Sequence, residues 1–220
     1  MMDFTSILSG IFEGFRVTGL VTLYGMLYAV PFALVFGVLQ YFMRGTSQWL
    51  VTAVIEFWRS SPVIILLFMM YYALPSFGVN LSGITVGAMA LGLNIGGYGS
   101  QSVRAALQAL DRGQVEAGKA LGLTRFDVLS LIELPQAFVA MIPTFINQFI
   151  QLVKGTALVS LITLTDMTFR AKEIAQLEYN PVGIYTALLV AYFIICYPAT
   201  IIGRRIENRL SAGQRGNRDF

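Results

Sequence analysis

Apolar positions in this chain come in long unbroken runs, not in the short alternation of a half-buried strand. Residues 17–43, 60–103 and 180–203 contain no Asp, Glu, Lys or Arg. A helix needs about 20 residues to cross roughly 30 Å of hydrocarbon, so the 44-residue run at 60–103 is long enough for two crossings. Pro75-Ser76-Phe77-Gly78-Val79-Asn80 supplies the break between them. The pattern predicts five spanning helices at about 17–42, 50–74, 83–103, 137–161 and 182–203, within one transmembrane domain covering 1–220. The second carries Glu56 and Arg59, and the fourth carries Lys154. The first run is longer than a signal-peptide core and lacks a basic leader, so it is expected to be a retained helix.

Composition agrees with an all-α, polytopic membrane protein. Hydrophobic residues make up 56% and charged residues 12%, about half the roughly 25% of a soluble domain. Mean hydropathy is +0.68. Disulfide scaffolds, disordered tails and nucleic-acid binders do not have this composition. One cysteine, Cys196, cannot form an internal disulfide, and the absence of His removes the commonest metal ligand and general base. No metal site is expected. Neither is an enzyme, since the chain has no GxxxxGK[ST] nucleotide motif.

The placement of charge sets an expected orientation. Arg44, the 104–135 loop and the C-terminal tail together hold ten Lys and Arg. The N-terminal segment, the 75–82 turn and the 162–181 loop hold three. The positive-inside rule therefore predicts a cytoplasmic C-terminus and 104–135 loop, with the N-terminus outside. Small residues recur at four-residue spacing at Gly83/Gly87 and Gly92/Gly96. Such a pattern permits close helix approach, although glycine is also simply common in membrane helices.

The 104–135 loop reads as two short helices. Asp111 with Gln114 resembles a capping box opening 112–121, and Gly122 ends that helix. Thr124 with Asp127 repeats the pattern, opening 125–134, which Pro135 is expected to close. Two helices of this length cannot bury Val115, Leu121, Phe126, Leu129 and Ile132 between them. They must dock on their own bundle, lie on lipid, or receive a cytoplasmic partner.

Polar groups within the spans have two readings each. Lys154 is a costly intramembrane charge that serves either helix packing or a carboxylate in a water-filled path. Glu56 and Arg59, three residues apart, form a local pair or a gate. Asn94, Gln101, Asn147, Gln148 and Gln151 either line a path or join helices. Pro143 and Pro198 are expected to bend their helices. Outside, Asp166, Arg170, Lys172 and Glu173 form either a solvated loop or a docking surface.

Residues 116–135 read Glu-Ala-Gly, three residues, Gly122, nine residues, Ile132, one residue, then Leu134-Pro135. This resembles the EAA loop of ABC importer membrane subunits. Gly113, Gln114, Glu116 and Ala117, then Leu134-Pro135-Gln136-Ala137, Pro143 and Asn147-Gln148-Phe149, resemble the polar amino acid uptake branch. So do Leu152, Lys154, Thr156, Leu158, Val159 and Ser160, and in the first half Gly14, Thr18, Glu56, Arg59, Pro62, Asn94, Gly96, Tyr98 and Arg104. Gln101 stands where many relatives carry an acidic residue, and Gly155 where an acidic residue or Asn is common.

The resemblance implies a type I ABC importer permease fold in a bacterial cytoplasmic (inner) membrane. It implies no cofactor on this chain, with ATP and Mg2+ held by two partner ABC ATPase subunits. A second permease subunit, identical or homologous, and an extracytoplasmic solute-binding protein complete the implied assembly. The implied cargo is a polar amino acid; an opine, a compatible solute, or a structural membrane protein without a path are the alternatives. The implied coupling surface is Arg112, Gln114, Glu116, Ala117, Gly118, Gly122, Thr124, Arg125, Phe126, Asp127, Ile132, Leu134 and Pro135.

Overall fold

The computed structural model describes residues 3–215, with side-chain surroundings through residue 209. Of the tail arginines counted above, Arg218 and the side chain of Arg215 lie outside that range. Every regular element among the described residues is helical. The order is α1 (Phe4–Phe12), α2 (Phe15–Phe42), α3 (Thr46–Ser60), α4 (Val63–Phe68), α5 (Gly83–Gln108), α6 (Arg112–Ala120), α7 (Arg125–Val128), α8 (Leu134–Gly155), α9 (Met167–Leu177) and α10 (Pro181–Arg215). A π turn (Met69–Ala73) and a 3-10 turn (Leu74–Phe77) continue α4, and a 3-10 turn (Thr156–Ile162) continues α8.

Helices α2 and α5 make the most extensive pairing in the molecule, and α8 packs on α5 from one side and α10 from the other. Glycine makes the α2–α5 contact close. A Cβ on Gly92 would lie 2.4 Å from the Gly25 carbonyl oxygen, and one on Gly96 would lie 2.9 Å from that of Ala29. The four-residue glycine spacing is thus used for backbone approach. Val21, Ala90, Leu91, Leu152 and Val159 build the core around this seam.

Among the described residues, three helices are long and apolar enough to cross a membrane: Phe15–Phe42, Arg125–Ile162 and Pro181–Arg209. The expected second span is not one helix. Thr46–Ser60 and Val63–Phe77 are bent by 93° and together make a fourth crossing if counted as one span. The cause is Pro62, whose ring disfavours helical backbone at the preceding residue. Ser61 accordingly sits at φ −73°, ψ 137°. Helix α5 has the length, 26 residues, but less apolarity than the others. Fourteen of its residues are buried, so protein rather than lipid surrounds it and its polar side chains can be satisfied there.

The fourth span also departs from expectation. Pro135 does not close a helix. Segments α7 and α8 run together as one 38-residue rod from Arg125 to Ile162. A π turn, Leu129–Glu133, joins them. The wider turn makes room for the proline ring, which enters at the start of α8 where a missing N–H is tolerated. Two short helices also appear where only connecting segments were expected. They are α1 before the first span and α9 in the outer 162–181 stretch, and they pack together with α10.

The glycine seam generates a stability prediction. Gly92→Ala should lower stability by about 1–3 kcal/mol through overpacking against the Gly25 backbone. Gly19→Ala, which meets nothing within 4 Å, should be neutral or slightly stabilising. Thermal unfolding in detergent, followed by circular dichroism, checks both.

Candidate functional site

The end of the bundle that carries the 104–135 loop is organised by local capping. Asp111 accepts from the Gly113 amide at 2.9 Å and opens α6. The expected reciprocal box with Gln114 does not form, because the Gln114 side-chain oxygen instead accepts from Gln136 Nε2 at 2.7 Å, tying α6 to α8. The far end of α6 is a Schellman turn: Leu123 N–H donates to Gly118 O and Gly122 N–H to Lys119 O, with Gly122 at φ 83°. The Thr124–Asp127 capping box is present as expected. Gly118 is the contact point of α6 with the rod, its would-be Cβ lying 3.0 Å from Val128 and 3.1 Å from Ile132. Arg112, Glu116, Ala117 and Lys119 are exposed, the three charged ones lining a recess shared with Arg125 and Glu133, and Leu121 and Phe126 are 83% and 73% exposed.

Beneath this surface lies a group that sequence reasoning missed. Glu133, 1% exposed, accepts from Tyr41 Oη at 2.8 Å and from Arg125 Nη2 at 3.1 Å, with Arg125 Nη1 on its other oxygen. The same guanidinium lies 4.5 Å from the Phe42 ring centroid and 5.5 Å from that of Tyr41. Positions eight apart on a regular α-helix are rotated by about 80° from one another. The extra residue of the π turn removes most of that offset, so Arg125 and Glu133 meet on one face. Both members of this pair lie on the rod, and Tyr41 and Phe42 clamp it to the end of α2. The signal available in the sequence was a lone acid beside Leu-Pro, without the bulge that gives it a partner.

The eight candidate path residues separate into three groups. Asn94, Gln101 and Gln148 join helices. Asn94 Nδ2 donates to the Trp58 carbonyl at 2.8 Å. Gln101 donates to Gln40 at 2.9 Å, and Gln40 donates on to Thr52 at 2.9 Å. Gln148 is buried against Gly99. Glu56 and Arg59 pair at 2.8 and 2.9 Å at the end of α3, beside the bend, with Arg59 stacked 5.9 Å from the Tyr98 ring centroid. Asn147, Gln151 and Lys154 are exposed. Their spacing of four and three residues puts them on one face of α8 as a polar stripe.

At the opposite end, the four residues expected to offer a docking surface are placed differently from one another. Asp166 is fully buried and caps α9, accepting from the amides of Thr168 at 3.1 Å and Phe169 at 3.0 Å. Burial pushes its carboxyl above the ordinary range, while those two amides pull it back. Gly14 packs directly on the Asp166 backbone, where a Cβ would lie 2.4 Å from its carbonyl carbon. Asp166 therefore anchors a corner and has no surface to offer. Lys172 turns toward Ser160, donating at 2.9 Å. Arg170 and Glu173 remain at the surface, paired at 2.9 Å, with Glu13 3.7 Å from Arg170.

Removing Glu133 tests the role of the buried pair. Glu133→Ala should cost about 2–4 kcal/mol, less than the 3–5 of a wholly buried pair because Arg125 is partly solvated. Tyr41→Phe should cost about 1 kcal/mol. Chemical unfolding of the purified protein checks both values.

Comparison with known proteins gives this architecture its place. Residues 16–212 match the family described as binding-protein-dependent transport system inner membrane component. A probable amino-acid ABC transporter permease of Sinorhizobium fredii is 35% identical, with 99% of this chain and 93% of that protein aligned. The L-cystine transport system permease of Bacillus subtilis is 31% identical over 94% of this chain and 88% of its own length. The crystal structure of an amino acid ABC transporter with histidines superposes with a TM-score of 0.79 at 28% identity, covering 95% of this chain and 99% of that one. The chain belongs to the family of inner membrane components of binding-protein-dependent transport systems, the permease subunits of ABC importers.

Proposed function

We propose that this chain is the permease of a polar amino acid importer and that its α7–α8 rod carries the motion of a separate ATPase into the translocation path. One observation carries the reading. A single continuous helix, Arg125–Ile162, holds the α6 contact and the Glu133 pair at one end and the polar stripe Asn147, Gln151 and Lys154 toward the other. At 1.5 Å per residue it is roughly 55–60 Å long, enough to reach from the cytoplasmic surface through the bilayer. A rigid element of that length transmits displacement, where a flexible loop would absorb it.

In this reading two ATPase subunits bind ATP and Mg2+ and close against α6. Leu121 and Phe126 supply apolar contacts, and Arg112, Glu116 and Lys119 supply the polar rim. A second permease subunit, identical or homologous, faces the stripe, since lipid is a poor environment for Asn, Gln and Lys. Between the two subunits the amides and the Lys154 ammonium offer donors and acceptors to a zwitterion, with Lys154 opposite its carboxylate. Helix α5 completes a fifth crossing, and the ten-to-three charge distribution puts the N-terminus outside. An extracytoplasmic binding protein delivers the amino acid to the outer end, where Arg170, Glu173 and Glu13 form a surface charge group. The amino acid relatives support the substrate class.

The test is uptake by proteoliposomes containing the permease, its ATPase and its binding protein. Lys154→Gln should lower amino acid uptake roughly 10- to 100-fold, the loss of one charge-assisted hydrogen bond, while ATP hydrolysis continues. Uptake equal to that of the unsubstituted protein would remove Lys154 from the path. A polar stripe with no role in uptake would be only a packing seam between subunits.

A further inference from the structure

Directly across α8 from the polar stripe is a second surface. Phe138, Ile142, Phe145 and Phe149 follow at four, three and four residues, about half a turn from Asn147, Gln151 and Lys154. With Met26 and Val30 of α2 and with Ala199 and Ile202 of α10 they enclose a groove of about 420 Å³ that is apolar throughout. A second apolar groove of about 680 Å³ shares Phe138 and continues between α2 and the rod, past Pro135 to Phe126 at the cytoplasmic end. An apolar groove of this kind stays dry, and its position opposite the stripe turns it to the lipid side.

Charge indicates which lipid. On α10, Arg205 and Arg209 follow Ile202 at three and seven residues, on the side of the helix that bounds the groove, and both are exposed. Gly203, between Ile202 and Arg205, packs on Ile146, which sets this part of α10 against the groove-bearing part of α8. Chain-length apolar space thus leads toward two cations at the cytoplasmic boundary, where leaflet phosphates lie. We propose that this groove is a binding site for an anionic phospholipid of the cytoplasmic leaflet, with one acyl chain between α2, α8 and α10 and the phosphate held by Arg205 and Arg209.

The test uses the intact chain, purified from its membrane and placed in phosphatidylcholine nanodiscs. The discs carry a small fraction of phosphatidylglycerol with a photoactivatable diazirine on one acyl chain, or the same diazirine on phosphatidylcholine. Labelled residues are located by mass spectrometry. The proposal expects label concentrated at 138–149 and 199–202, about fivefold or more stronger from the anionic probe. Ala199→Phe, which fills the groove, should abolish that label. Should Ala199→Phe fail to fold, the exposed double substitution Arg205→Gln with Arg209→Gln still decides the question. It should equalise the two probes while leaving chain labelling in place. Equal labelling by both probes in the unsubstituted protein would overturn the proposal, as would label no denser in the groove than at exposed Phe193 and Ile194. Disulfide formation between copies carrying Phe138→Cys would show a second subunit in the groove, and would overturn it too.

Discussion

A buried carboxylate needs partners, and Glu133 obtains its partners only by holding three parts of the chain in one arrangement. Its oxygens are shared by Tyr41 at the end of α2 and Arg125 at the start of the rod. An unpaired carboxylate at that depth would cost several kcal/mol, so the end of α2 and the π turn are constrained together. The stacking of Arg125 on Phe42 closes the same cluster from its open side. Gly118 brings α6 onto Val128 and Ile132 one turn away, so α6 rests on the rod beside this cluster. A displacement applied at Leu121 or Phe126 consequently reaches the rod with little slack.

Inside the bundle the same economy appears in neutral form. Lipid offers no hydrogen bonds, so polar side chains within the spans gain from partners inside the bundle. Asn94 satisfies the Trp58 carbonyl just before the Pro62 break, and the Gln101–Gln40–Thr52 chain joins three helices. The glycines of α5 allow it to sit at the centre, where it can afford Asn and Gln. Asn147, Gln151 and Lys154 of α8 are instead exposed, which is the observation behind the proposed path. The opposite face of α8, along Phe138, Ile142, Phe145 and Phe149, is apolar.

Much of this was legible in the residues. Charge-free runs located the apolar helices, and Thr124, Asp127 and Gly122 marked caps and a turn that the structure contains. The bends were less legible. Pro62 and Pro135 carry the same local signal, yet one breaks the chain by 93° and the other sits in a continuous rod. The difference is a π turn, which depends on packing and on Glu133 finding Arg125, and neither is visible in a linear pattern. Likewise Asp166 looked like surface charge because a buried helix cap and a solvated acid share one letter. Which of Asn147, Gln148 and Gln151 faces outward depended on the rotation of α8, and that is set by its contacts with α5 and α10.

The central claim is that the rod moves as one body. Spin labels at Phe126→Cys and Leu161→Cys, in a Cys196→Ser background, sit on either side of the π turn at roughly 50 Å separation. Their distance in the assembled transporter should be the same, within about 2 Å, without nucleotide and with ATP trapped. A change of about 5 Å, one helical turn, would mean that the π turn flexes during the cycle. In that case the cytoplasmic loop and the polar stripe are not rigidly joined, and the coupling described here fails.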